Sequence, residues 1–216
     1  MTRKPYNGCV TERFAEVRRL LDRYIVEIVE TYELCPWARP TRLAGEIAVD
    51  VLWGEPALAD WQRSAERLAG APVAMIVAPE LAASPGELRA ARDSLAARLP
   101  DTGIADFHPD AELDLGSPAR LVPALRRSPD PLLQLVPLQL IAAVRATPPA
   151  VDRAAQAKML GGLAQALRGD VADRIAEHNH ARIAAAGGAF TAALDDLAAD
   201  RRRSYPRVGI AIRSCR

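Results

Sequence analysis

The sequence predicts an α/β protein: a small, mainly parallel sheet from β-α-β-α-β units, flanked by helices and extended by a C-terminal helical segment. Three observations carry this. Short apolar runs alternate with longer amphipathic ones between residues 46 and 107. Proline and glycine punctuate almost every junction between them. The last third shows only the three-and-four spacing of helices.

Residues 1 to 10, with Pro5, Asn7 and Gly8, read as a loose lead-in. Thr11 is placed to cap a helix carrying Phe14, Val17, Leu21, Tyr24, Ile25, Ile28 and Tyr32 on one face. That helix cannot pass Pro36 unbroken and ends near Glu33 or Leu34. Glu46–Trp53 is a first strand. Pro56 opens a helix with Leu58, Trp61, Ala65 and Leu68 on one side, stopped at Gly70. Val73–Ala78 is apolar throughout, as a strand buried on both faces would be. Ser84-Pro85-Gly86-Glu87 is a capping box with proline in the first turn. The helix behind it runs through Leu88, Ala91, Leu95 and Leu99 to Pro100, and Gly103–Phe107 is the third strand.

Strands joined by helices of this length run parallel, with right-handed crossovers. Their C-terminal ends then share one rim, where Glu55, Glu80 and the turn His108–Asp110 follow closely on strands. From His108 to Pro137 six prolines break any long element, and Leu132–Val136 reads as a fourth strand at a sheet edge. A short helix over Leu138–Ala146, a helix over Val151–Leu167, one capped by Asp170 and ending at Gly187-Gly188, and one from Ala189 to the triplet Arg201-Arg202-Arg203 complete the helical part. A helix end explains the triplet. Val208–Ile212 alternates like a closing strand. Residues 1–147 form the α/β core, and residues 148–216 a helical extension packed on it rather than an independent domain.

Half of the 216 residues are hydrophobic and a quarter charged, as in soluble globular proteins, and the net charge is +1. No nucleic-acid partner follows from that balance. No apolar run approaches the roughly 20 residues that span a bilayer, and no signal core opens the chain. A cytoplasmic protein without a membrane partner is expected. Three scattered cysteines, Cys9, Cys35 and Cys215, make neither a disulfide framework nor a CxxC metal site.

Two places carry candidate chemistry. Proline is favoured at the first position of a helix, which puts Cys35 at a helix start and lowers its thiol pKa. His108 and Asp110, just past a strand, supply a general base and its orienting carboxylate. Arg127, with Arg126, Ser128 and Glu80, would bind an anionic substrate. The plain structural alternative gives each residue a separate duty: Cys35 packs, His108 bonds nearby backbone, Asp110 caps a turn, and the arginine pair holds the loop down.

Three stretches together resemble the bacterial domain-of-unknown-function family 1415. They are Leu34-Cys35-Pro36-Trp37-Ala38, Phe107-His108-Pro109-Asp110, and the segment beginning Arg126-Arg127-Ser128-Pro129-Asp130-Pro131. In the third motif Arg126 stands for the family's Asn, Gln134 for its His, and Pro137-Leu138 for its Arg-Glu. The resemblance implies a shared site and no known reaction. Cys35-Pro36-Trp37-Ala38 is also similar to the active-site turn of omega-class glutathione transferases, where a strand precedes it; here a long helix does.

The expected function is a cysteine-dependent enzyme acting on a small anionic ligand, with Cys35 as nucleophile or redox thiol. One alternative is a non-catalytic anion- or partner-binding module. Another is a metal or haem protein, using Cys35, or His108 with Asp110, Glu55 and Glu80; the residue types assign no metal site. His178 and His180, two apart on a helix, point to different sides. Cofactor, reaction and oligomeric state are not encoded in any recognisable motif.

Overall fold

The computed structural model describes residues 7–35, 37–118, 120–140 and 171–212. Its centre is a four-stranded sheet of β1 (Ile47–Val51), β2 (Val73–Val77), β3 (Thr102–Phe107) and β4 (Leu132–Pro137). Side chains alternate across it with the period of two that a strand imposes. Val51, Met75, Val77 and Leu132 face one cluster, while Ala74, Ile76, Leu133 and Leu135 face another.

The second cluster is closed by α3 (Leu58–Arg67) and α4 (Pro85–Ala96), through Trp61, Ala65, Leu88 and Leu95. The first takes α1 (Asn7–Arg23), which continues as a π-helix over Tyr24–Glu30. It also takes α5 (Leu121–Leu125), α6 (Val171–Ala186) and α7 (Ala189–Ser204). The C-terminal helices thus share their core with α1 and the sheet. A short helix, α2 (Ala38–Leu43), lies between the π-helix and β1.

The α/β class holds; the mainly parallel sheet does not. The strand order is β1-β2-β4-β3, and only β1 and β2 are parallel neighbours. β4 runs antiparallel to both β2 and β3. Two strands antiparallel to the same strand share a direction, so β1, β2 and β3 all point one way, as crossover helices require. The proline-rich connection then brings β4 back in reverse and slots it between β2 and β3. Helix-and-strand alternation fixes direction along the chain; it says nothing about which strands become neighbours.

Nor is β4 an edge strand. Leu132, Leu133 and Leu135 are buried. Pro137 is tolerated because it ends the strand, opposite Thr102, where one missing N–H costs little. Val208–Ile212 is not a closing strand. Tyr205–Val208 form a 3-10 turn, ended by Gly209 at φ 73, a conformation glycine adopts without strain. The first helix also starts earlier than Thr11, at Asn7. Most of the expected Leu138–Ala146 helix, the whole Val151–Leu167 helix and the Asp170 cap lie outside the described residues.

Candidate functional site

The ends of β1, β2 and β3 reach one rim, and β4 starts there. His108 leaves β3 at this rim and is 3% exposed. Its backbone N–H donates to the Arg126 carbonyl at 2.9 Å, so the second and third motifs are joined. Its ring is held on both sides. Nε2 lies 2.9 Å from the Ala83 carbonyl, and Nδ1 accepts the Asp110 backbone N–H at 3.0 Å. A carbonyl only accepts, so Nε2 carries the proton and the ring is neutral in this arrangement. Burial pushes the imidazole pKa down, and Arg201's charge adds to that; the Ala83 carbonyl and the carboxylates of Asp110 and Asp106 pull the other way. Asp110 thus meets the ring with its backbone N–H, as a turn, while its exposed residue faces outward.

Glu80 ties three segments. Its Oε1 accepts from Arg13 at 2.5 Å and from the Ala211 N–H at 3.2 Å, and its Oε2 accepts the Gly54 N–H at 2.9 Å. Arg13 also stacks on Trp53, 4.1 Å from the ring centroid. These bonds engage both carboxylate oxygens.

The loop ahead of β4 is anchored by Ser128, Asp130, Arg201 and Tyr205. Asp130 is 1% exposed and accepts from Arg201 Nε at 2.7 Å and from the Tyr205 hydroxyl. Arg201 also donates to the Pro79 carbonyl at 2.8 Å. The Ser128 hydroxyl donates to the Asp130 carbonyl at 2.6 Å. The expected helix-end role for the triplet therefore misses Arg201. It lies four residues beyond Leu197 and seven beyond Leu194, on the buried stripe of α7, and that spacing was the available signal.

A second arginine cluster sits on the α4 side of the sheet. Asp106, 4% exposed, accepts from Arg126 Nη1 at 2.9 Å. Arg92 and Arg89 stand 3.6 and 3.8 Å from the same carboxylate. Arg92 Nε is buried without a hydrogen-bond partner, although the exposed Asp93 lies 3.1 Å away at poor angle. Arg127, half-buried, has no side-chain hydrogen bond or ion pair among the described residues. Arg89 and Arg92 are three apart on α4 and so share a face; a charged Asp106 inside an otherwise apolar strand was the sign that something basic covers it.

Cys35 follows the first helix and its π-helical continuation, just before α2. Leu34 joins the first cluster, and Asn179 of α6 donates to the Leu34 carbonyl at 3.3 Å. Glu33 just before it has φ 53, strained for a residue with a side chain. The backbone N–H groups of Trp37 and Ala38 favour the thiolate, but burial outweighs them and pushes the thiol pKa up. That reverses the expected lowering: α2 is one short turn and a half, and burial removes the water a thiolate needs. Burial, with the charge of the Cys35 thiolate, pushes the Tyr24 hydroxyl pKa up.

Among the described residues, no three His, Cys, Asp or Glu side chains converge as a cation site, and no helix is long and apolar enough to cross a membrane. Compared with protein-family models, curated proteins and solved structures, the chain finds no match.

Proposed function

We propose that this protein binds a small, multiply charged anion, a phosphoryl or polycarboxylate group, at the arginine cluster beside the His108 turn. One observation carries the reading: three guanidinium groups share the single buried carboxylate of Asp106, and one of them keeps a buried, unpaired N–H. A buried donor without an acceptor costs about 1–3 kcal/mol. An oxyanion supplies both the missing acceptor and the missing charge, and guanidinium forks match its geometry.

Calorimetric titration of pyrophosphate and citrate tests this. Arg89→Ala, at a half-exposed position, and Arg92→Ala should each weaken binding about tenfold or more, and added salt should weaken it further. Absence of binding at millimolar anion, or wild-type affinity in both variants, would overturn the proposal.

A thiol-dependent activity is the second reading, favoured by the backbone N–H groups of Trp37 and Ala38, which lower the thiol pKa against burial. In that case the Cys35→Ser variant retains anion binding and loses covalent reaction with an electrophilic substrate.

A further inference from the structure

The outward face of α1 and its π-helical continuation carries apolar side chains left exposed among the described residues. Val10, Phe14 and Val26 are 54%, 38% and 39% exposed. Phe14, Arg18, Asp22 and Val26 are spaced by four, so they form one row along the helix. Ala15, Arg19, Arg23 and Glu27 form the adjacent row, and between the two runs a shallow groove of about 700 Å³. A groove between two such rows is what the ridge of another helix packs into.

The row has a symmetry of its own. Read from either end it runs apolar, charged, charged, apolar, with the charges opposite in sign. An antiparallel helix pair centred near Leu20 puts Phe14 against Val26 of a second copy and Arg18 against its Asp22. The two-fold axis repeats both contacts, giving two apolar and two charge-paired contacts from one surface, as an isologous interface requires. Arg18 and Asp22 already bond within the helix at 2.9 Å and keep 34% and 42% of their side chains exposed, so each has lone pairs or N–H groups left for a neighbour. Arg19 and Arg23 are held instead by Asp200 on α7, which fixes the groove's far wall. With charges balanced within the row, no strongly acidic or basic partner is matched by it, whereas a second copy is.

We infer that α1 and the π-helix that continues it form a homodimer interface in which Phe14 and Arg18 of each chain meet Val26 and Asp22 of the other. A single helix pair buries less than the roughly 1,600 Å² of a standard interface, so the dimer is weak, with a dissociation constant on the order of micromolar or above.

Sedimentation equilibrium of the full chain, from about 1 μM to about 1 mM to bracket that range, reads this directly. The wild-type mass should rise toward twice the monomer value. Arg18→Asp and Asp22→Arg should each hold the protein monomeric, at least tenfold weaker in association, and the double swap should restore dimerisation because like then meets unlike again. Phe14→Lys should abolish it with an unchanged circular dichroism spectrum, since the position is exposed. A wild-type chain monomeric throughout the range overturns the inference, as does a dimer indifferent to all four variants, which would place the contact on another face.

Discussion

Asp130 and Arg201 stand 71 positions apart in the chain and meet in a buried ion pair, with Tyr205 on the second carboxylate oxygen. The pair fastens α7 to the proline-rich loop just where β4 begins. Arg201 donates to the Pro79 carbonyl as well, so one guanidinium holds the segments after β2 and before β4. Burial and the charge of Asp130 keep Tyr205 protonated well above its usual range. Removing one partner of such a pair strands the other charge away from water. Arg201→Ala should therefore cost about 3–5 kcal/mol in urea denaturation at neutral pH. Arg201→Lys should recover only part, because an ammonium lacks the planar fork. A loss below about 1 kcal/mol would mean that water replaces the guanidinium.

The His108 ring makes stability depend on pH in a definite direction. Its folded pKa lies below the ordinary 6.5. Under acid conditions the unfolded chain takes up a proton that the folded ring resists. The contribution is thus complete above about 6.5 and declines as pH falls below it, through the interval down to the folded value. A stability profile from pH 8 to pH 5 should slope downward, and less steeply in His108→Gln, whose amide still donates to the Ala83 carbonyl. An NMR titration midpoint for His108 at or above 6.5 would refute this.

Asp200 sets a separate acid limb. Hydrogen bonds from Arg19, outweighing burial, and from Arg23 hold its carboxyl below the usual 3.8. A depressed carboxyl stabilises the fold above its unfolded pKa and loses that effect as pH falls through the folded one. Asp200→Asn should lower stability near neutrality by at most about 1 kcal/mol, given solvent screening, and the difference from wild type should vanish in strong acid. A difference that persists unchanged at acid pH would assign the loss to packing.

Cys35 should react slowly with iodoacetamide at neutral pH. In a chain carrying Cys9→Ser and Cys215→Ser, the labelling midpoint should lie above the ordinary thiol value of 9.0 and shift downward on unfolding. A midpoint near neutrality would restore an activated thiol.

Much of the frame was readable from sequence because local chemistry sets it. Ser84 and Glu87 form the reciprocal cap their spacing implies, at 3.3 and 2.7 Å. The apolar stripe through Phe190, Leu194 and Leu197 marks the buried face of α7. What escaped depends on distant pairing. The slot that β4 takes is chosen by contacts between residues about 30–60 positions apart, such as Gln134 with Met75 and with Ala105. Motif reading found His108 and Arg127 but not the company they keep. Asp106 and Arg201 carry no local signature beyond a charge sitting where a periodic pattern wants an apolar residue. For Cys35, helix-start reasoning gave a lowered pKa, whereas burial, the alternative the sequence also allowed, is the larger effect.

The position of β4 also governs when the sheet can exist during synthesis. Until residues 132–137 leave the ribosome, β1 and β2 make a two-stranded ribbon and β3 has no neighbour at all. The nascent chain therefore exposes the unpaired flank of Met75–Val77, an apolar segment suited to pairing with another growing chain. Translation speed across the proline-rich connection sets how long that flank stays open, so slow decoding there should favour inclusion bodies over folded product.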